Sequence, residues 1–403
     1  MNWLATLLIG IYPLGISPQS IAMAIVLLTA GRAAFRQPTD TVNKLRPFAV
    51  PMALAFAFSI WTIIATLLNS ANPARPFGMF AGLSGWWAAP ALLVATLVPV
   101  AKETWLRWWR FLAIVCLLWG AVAVSQALVG WRVEGVAFVA DTTRPRGFYS
   151  HPLTLAYAAL MLWPFVLGRL LAAPRLWEGW AATLGIGLIL VLTQSRTVQA
   201  VAAIAAAVLV LQGVKGRARV VALALFAMAA LAVLGTNNTI GQRFQKTFSG
   251  EGLDRKQGTY ADDRLAFWAV HLAMVRERPL IGHGNDLNTA YRTPYYDRMG
   301  LTEFTKKYEA HNLFLQILAD DGAIGLVVFL AWVATQLRLA WRLDREHWGR
   351  PVMTTTWLAF LAAGVTQNSF QDGEVRNGLS FFVAASWLLA ATTAARASGR
   401  LSR

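Results

Sequence analysis

Cysteine is almost missing from this chain of 403 residues: Cys116 stands alone, inside an apolar run. That excludes an intramolecular disulfide and a cysteine-based zinc site. Charge is scarce too, at 14% of residues, with 20 acids against 36 lysines and arginines. A Walker lysine loop, a His-Glu-x-x-His helix and a Gly-x-Ser-x-Gly elbow are all absent. The glycine-rich "IGHGND" at 281–286 follows no strand, so it is no dinucleotide fingerprint. Histidines and carboxylates are not grouped at metal-ligand spacing within any one segment, which leaves only ligands drawn from separate loops. The expectation is therefore no metal, no nucleotide and no other cofactor.

Apolar residues, in contrast, make up 57% of the chain and return in continuous runs of about twenty. Unpaired backbone groups are costly in hydrocarbon, so a span must be a helix or part of a closed barrel, and continuous rather than alternating runs select helices. The pattern predicts an all-α polytopic membrane protein. Windows of span length give about twelve helices, at roughly 1–17, 19–35, 46–69, 78–100, 106–130, 151–173, 177–194, 196–213, 219–236, 311–337, 352–370 and 378–396. This divides the chain into helices over 1–236, one large loop over 237–310, and helices with a C-terminal tail over 311–403. The first segment lacks a basic n-region and a clear cleavage site, so it reads as a retained helix. Several of the 18 tryptophans, among them Trp3, Trp105, Trp108, Trp109, Trp131, Trp177 and Trp180, fall near segment ends, where indole rings anchor at the headgroup level or simply pack. The formal charge of +16 is spread over many short loops, so anionic phospholipid is a simpler partner than nucleic acid.

Lysine and arginine crowd the loops of one side, for example Arg32, Arg36, Lys44 and Arg46, then Lys215, Arg217 and Arg219. The short loops opposite hold only Arg75, Arg132, Arg144, Arg146, Arg196 and Arg376. By the positive-inside rule both termini are cytoplasmic and the 237–310 loop lies outside. Only Asp40, Glu103, Glu178, Asp344 and Glu346 of the 20 acids fall on the cytoplasmic side, so polar chemistry is expected on the outer face. Within the large loop, "TYADDRLAFWAVHLAMVRERPLIG" offers Asp262 or Asp263 as an N-cap and Leu265, Trp268, Leu272 and Val275 as an apolar stripe. That spacing predicts an amphipathic helix lying on the membrane surface, and a second short helix is expected around 297–309.

Three residues stand out. Arg196, in "LTQSRTVQA", lies between two apolar segments, where an arginine costs at least ~2.5 kcal/mol at bilayer depth. It either snorkels to headgroups or grips a phosphate with its planar fork. Arg264, in the first turn of the loop helix, either pairs with Asp262 and Asp263 or reaches an anionic headgroup near a helix N-terminus. His311 opens the tenth span on the outer side, as a structural interface residue or as a proton acceptor near neutral pH. Asp320 and Asp321, nine residues further on, suggest a bend or a wet crevice.

"TQSRT", "DDRLAFW", "PLIGHGN" and "AHNLFLQILADDGAIGL", with "GFYSHPLTLAYA" at 147–158, resemble the O-antigen ligases over most of residues 140–330. O-antigen polymerases and protein O-oligosaccharyltransferases share part of this pattern, but one large loop between the ninth and tenth spans looks more like the ligase. The resemblance implies a membrane-embedded, metal-independent, inverting glycosyltransferase of the bacterial inner membrane. It implies an undecaprenyl-pyrophosphate-linked glycan as donor and a lipid A-core sugar as acceptor. Arg196 and Arg264 fall on family arginines for the pyrophosphate, and His311 on the essential loop histidine. Arg146 and Asp372, in "QDGEVR", are further polar positions without a set role, and His151 and His283 stay open as alternative bases. A twelve-helix transporter would instead show two related halves and several ionisable residues within spans. The sequence shows neither feature clearly.

Overall fold

The computed structural model describes all residues except Met1, 70–74, 132–143, 218, 222–223, 225–259, 286–291, 302–308, 344–346, 369, 371 and 398–403. Among the described residues the regular structure is helical. α1 spans Trp3–Ile11, α2 Ile16–Arg36, α3 Pro38–Leu45, α4 Ala49–Leu67, α5 Arg75–Leu97, α6 Lys102–Val129 and α7 Pro152–Ala172. α8 follows over Trp177–Leu192, α9 over Arg196–Gly213, α10 over Tyr260–Glu277, α11 over Thr293–Arg298, α12 over Leu313–Trp341, α13 over Gly349–Gly364 and α14 over Gly373–Ala397. Seven of these segments are long and apolar enough to cross a membrane, and Trp3–Leu14, Gly85–Leu97 and Trp177–Leu192 are shorter apolar helices. This is the architecture of a polytopic membrane protein. The expected ninth span at 219–236 lies almost wholly outside the described residues.

α7 is the centre of the bundle, with 83% of its apolar window buried, and it packs on α8, α9, α13 and α14. Trp86, Trp119, Trp332, Trp357 and Trp387 are fully enclosed. Of the tryptophans expected as anchors, Trp3, Trp177 and Trp180 are exposed, whereas Trp108 and Trp109 pack in the core, Trp109 stacking on Phe165 at 4.8 Å between ring centroids. The short "TQSRT" does separate two helices, α8 and α9, through Gln194 at φ 52°.

Two expectations are corrected. The eleventh span, placed at 352–370, ends at Gly364, because Thr366, Gln367 and Asn368 turn out of the apolar layer. In the large loop α10 starts at Tyr260, so Asp262 and Asp263 lie in its first turn instead of capping it. Its protein-facing side is Phe267, Val270, His271 and Met274, with Phe267, Val270 and Met274 packed with Tyr295, Tyr296 and Ala319; of the expected stripe, Leu265 and Leu272 are exposed, as a face turned to lipid would be, while Trp268 and Val275 are partly buried. A helix apolar on two sides carries two stripes, and spacing alone does not rank them. A short helix, α11, lies at Thr293–Arg298, and most of the helix expected at 297–309 falls on residues 302–308, outside the described set.

α12 is broken at Gly322, at φ 68° and ψ −173°. Residues 279–284 lie against the break and satisfy its backbone: His283 N–H donates to the Ala319 carbonyl (2.9 Å), Gly284 N–H to Asp320 (2.7 Å), and Ala323 N–H to Pro279 (2.8 Å). A Cβ on Gly322 would meet the Leu280 carbonyl, and one on Gly282, at φ 76°, the Asp320 carbonyl. The Trp61 indole N–H donates to the Asp321 carbonyl at 2.7 Å, and the Asn285 N–H to Thr66 Oγ1 at 3.0 Å, which fastens the loop to α4. Gly282→Ala is expected to lower the thermal midpoint in detergent by several degrees, since left-handed strain alone costs about 1–3 kcal/mol before the clash is counted. An unchanged melt would show that this contact does not hold the loop.

Candidate functional site

The helices bring their polar ends together at one end of the bundle. α7, α9, α12 and α14 begin there and α13 ends there. Thr154 Oγ1, in the first turn of α7, donates to Asp372 Oδ2 at 2.6 Å, just ahead of α14. Tyr157 Oη lies 3.4 Å from Thr366 Oγ1, beyond the end of α13, and a Cβ on Gly364 would touch Leu313 of α12.

His311 sits at this junction in a left-handed conformation, φ 45°. A non-glycine residue holds that shape at a cost of roughly 1–2 kcal/mol, and here the neighbours on both sides are fixed. The Ala310 N–H donates to Gln316 Oε1 (2.8 Å), Gln316 Nε2 donates to Asp320 Oδ2 (2.8 Å), and the Trp268 indole donates to the Ala310 carbonyl (3.0 Å). Asn312 Oδ1 caps α12 by accepting from the Leu315 N–H at 3.0 Å. The loop helix and the interrupted span therefore hold the histidine between them.

The His311 Nδ1 lies 3.0 Å from Gln367 Oε1 and 3.7 Å from Glu309 Oε1. With the Gln367 oxygen as acceptor, Nδ1 carries the hydrogen and Nε2 the lone pair of the neutral ring. Burial lowers the ring to about 4; the bond to Gln367 opposes this, and the charges of Arg264, His151 and Arg292 add to it. At neutral pH the ring is uncharged and able to accept a proton. Glu309 Oε2 accepts from Asn368 Nδ2 at 2.9 Å. Burial pushes Glu309 up to about 7, with Asp372 and Asp320 adding to the rise and Asn368 and Arg292 opposing it.

Arg264 is half-buried and its Nε makes no hydrogen bond among the described residues, while its charge reaches both Tyr157 and His311. The side chains of Asp262 and Asp263 lie outside the described set. Arg292, buried at 6% exposure, stands near His311, His271 and Glu309. Arg196 is the first residue of α9, half-buried, on a helix that packs against α7 and α13. Arg144 reaches the turn before it, donating from Nε to the Thr193 carbonyl at 2.8 Å. Arg146 is buried, and its N–H, with that of Gly147, donates to Gln126 Oε1 of α6. The structure thus brings Arg264 beside His311 and sets Arg196 at the same end of the bundle.

Asp372 has both carboxylate oxygens engaged, Oδ2 by Thr154 and Oδ1 by the Glu374 N–H at 3.1 Å, which makes it a helix cap and a tie between α7 and α14. The other histidines have structural bonds. His151 caps α7, its Nδ1 accepting from the Leu153 N–H at 3.0 Å. His283 Nε2 meets the Met274 carbonyl at 3.0 Å and Tyr295 Oη at 3.3 Å, and His271 Nδ1 meets the Phe267 carbonyl at 2.7 Å. Glu309, Arg292, Gln367 and Asn368 are site residues that the sequence did not single out. Glu309 stood two places from His311, and "TQN" interrupts an apolar run; Arg292 had no local signal at all.

An uncharged imidazole, buried arginines and an acid beside the ring can bind an oxyanion and take a proton from a hydroxyl next to it. Residues 181–330, which include Arg196, Arg264, Arg292, Glu309 and His311, match the family described as O-antigen ligase. A segment of 110 residues is 30% identical to an O-antigen ligase of Pseudomonas aeruginosa; it covers 27% of this chain and 25% of that relative. Both findings support placing the chain in the O-antigen ligase superfamily.

Proposed function

We propose that this protein joins a polysaccharide carried on undecaprenyl pyrophosphate to a sugar hydroxyl of lipid A-core. The reaction takes place at the periplasmic face of the bacterial inner membrane, with both termini in the cytoplasm. The observation that carries the reading is His311, neutral, strained and fixed on both sides, next to Arg264 and Arg292 at one end of a membrane bundle.

In the proposed reaction Nε2 of His311 takes the proton of the acceptor hydroxyl. The freed oxygen attacks the anomeric carbon of the donor from the face opposite the pyrophosphate, so the configuration inverts. The bond from that carbon to the phosphate oxygen breaks, and undecaprenyl pyrophosphate leaves with the electron pair. Arg264 and Arg196 offset the charge growing on the leaving oxygen, which is the electrostatic part of the catalysis. The arriving pyrophosphate also offsets the arginine charges, which are the smaller part of what depresses His311 after burial, and so makes the ring a somewhat stronger base. The energy is stored in the donor, so no ATP is required.

A polymerase or a protein-directed oligosaccharyltransferase would use the same base and arginines on a different acceptor. Chain length separates them. A strain lacking this protein is expected to accumulate long lipid-linked chains and to leave its lipid A-core uncapped; core carrying a single repeat would identify a polymerase instead. A transporter finds some support in the broken α12 with buried Asp320 and Asp321. Against it, the break is closed by the backbone of residues 279–284 and Asp320 is bonded to Gln316.

A further inference from the structure

We propose that Glu309 is the counter-charge of His311: it takes no part at rest and pairs with the ring once the acceptor proton has arrived. This rests on the reading of His311 as the base. The carboxylate faces Nδ1, the nitrogen turned away from the incoming proton, at 3.7 Å, and Gln367 Oε1 holds the same nitrogen at 3.0 Å. Asn368 fixes the other carboxylate oxygen, so Glu309 is aimed rather than loose.

A neutral ring in a buried, cationic site is a weak base unless something compensates the charge it acquires. Arg264, Arg292 and His151 face His311 and all oppose protonation. Glu309 is the acid at ion-pair distance from the ring among the described residues. Glu309 is itself faced by Asn368, Arg292, Asp372 and Asp320. In the transfer step the acceptor O–H bond breaks and its proton forms a bond to Nε2. The hydrogen on Nδ1 stays with the ring, directed at Gln367. The positive charge created on the imidazolium is then balanced by the Glu309 carboxylate, and no proton need leave the pair before the glycosidic bond has formed.

The pH dependence follows. Glu309 is raised, so it loses its charge as pH falls through about 7, well before His311 would gain one at about 4. Below about 7 the ring loses its counter-charge and the rate falls. The acid limb of kcat/KM in the wild-type protein should therefore lie near 7, reporting Glu309, with a further loss only at much lower pH.

The test compares purified wild type, Glu309→Gln, Glu309→Asp and His311→Ala for transfer from lipid-linked donor to lipid A-core between pH 5 and 9. Glu309→Gln keeps the shape and the Asn368 contact. It should lower kcat by about 10- to 100-fold, as a neighbouring opposite charge moves a pKa by roughly 1–2 units. The KM for donor should stay unchanged, the limb near 7 should vanish, and Glu309→Asp should restore part of both. Unchanged kcat in Glu309→Gln, or a lowered kcat that keeps the limb near 7, would overturn the proposal, the second outcome marking a packing role. Full transfer by His311→Ala would overturn the reading of the base itself, a separate failure visible in the same assay.

Discussion

Replacing His311 by alanine is expected to stop polymer transfer, with lipid-linked donor accumulating and lipid A-core left uncapped. A positioned general base contributes roughly 10²- to 10⁴-fold, and His311, the base of the proposed reaction, is held in place on both sides. The ring sits at φ 45°, with Ala310 held by Gln316 and Trp268 and Asn312 capping α12. Removing the ring leaves those backbone bonds in place, so the variant should fold. It should also release the left-handed side chain only in part, because alanine at the same φ is strained too. His151→Ala, which loses a helix cap worth about 1 kcal/mol, should lower stability more than transfer. The contrast between the two variants is read by quantifying capped lipopolysaccharide in cells and melting temperature in detergent.

The second large effect is expected at Arg264. Its guanidinium lies beside His311 and Tyr157, with a buried Nε that makes no hydrogen bond among the described residues. A half-buried arginine whose Nε makes no hydrogen bond among the described residues can offer that donor to a pyrophosphate oxygen. Arg264→Ala should lower kcat/KM by roughly 10²- to 10³-fold, the loss seen when one donor to a developing oxyanion is removed. Arg264→Lys keeps the charge but not the planar fork, so it should recover only part of the rate. The split between constants is informative. A fall in kcat with little change in donor KM would place the contact in the transition state, while a rise in KM alone would make it a ground-state anchor.

Much of this was legible in the chain. Apolar runs near twenty residues gave the helices, because hydrocarbon leaves a buried backbone few other options, and "TQSRT" marked a true turn between α8 and α9. "LADDG" signalled the interruption at Gly322, though not that "PLIGHG" would close it, since that pairing joins segments about forty residues apart. The end of α13 was misplaced because a hydropathy window averages Thr366, Gln367 and Asn368 with the apolar residues before them. Arg264 and His311 could be singled out because an isolated charge or ring at a membrane boundary is conspicuous by itself. Gln367 and Arg292 could not, since what matters about them is their distance from His311, and they approach it from the loops before α14 and α11.

The central claim is that the chain itself performs glycosyl transfer, with His311 as base and arginines where a metal acts elsewhere. The direct measurement is a reaction of the purified protein in detergent with undecaprenyl-pyrophosphate-linked glycan and lipid A-core, in the presence of a chelator and without any membrane gradient. The account predicts a joined product of inverted anomeric configuration from the wild type and none above background from His311→Ala. Product formed equally by both proteins, or formed by neither until a metal or a gradient is supplied, would contradict it.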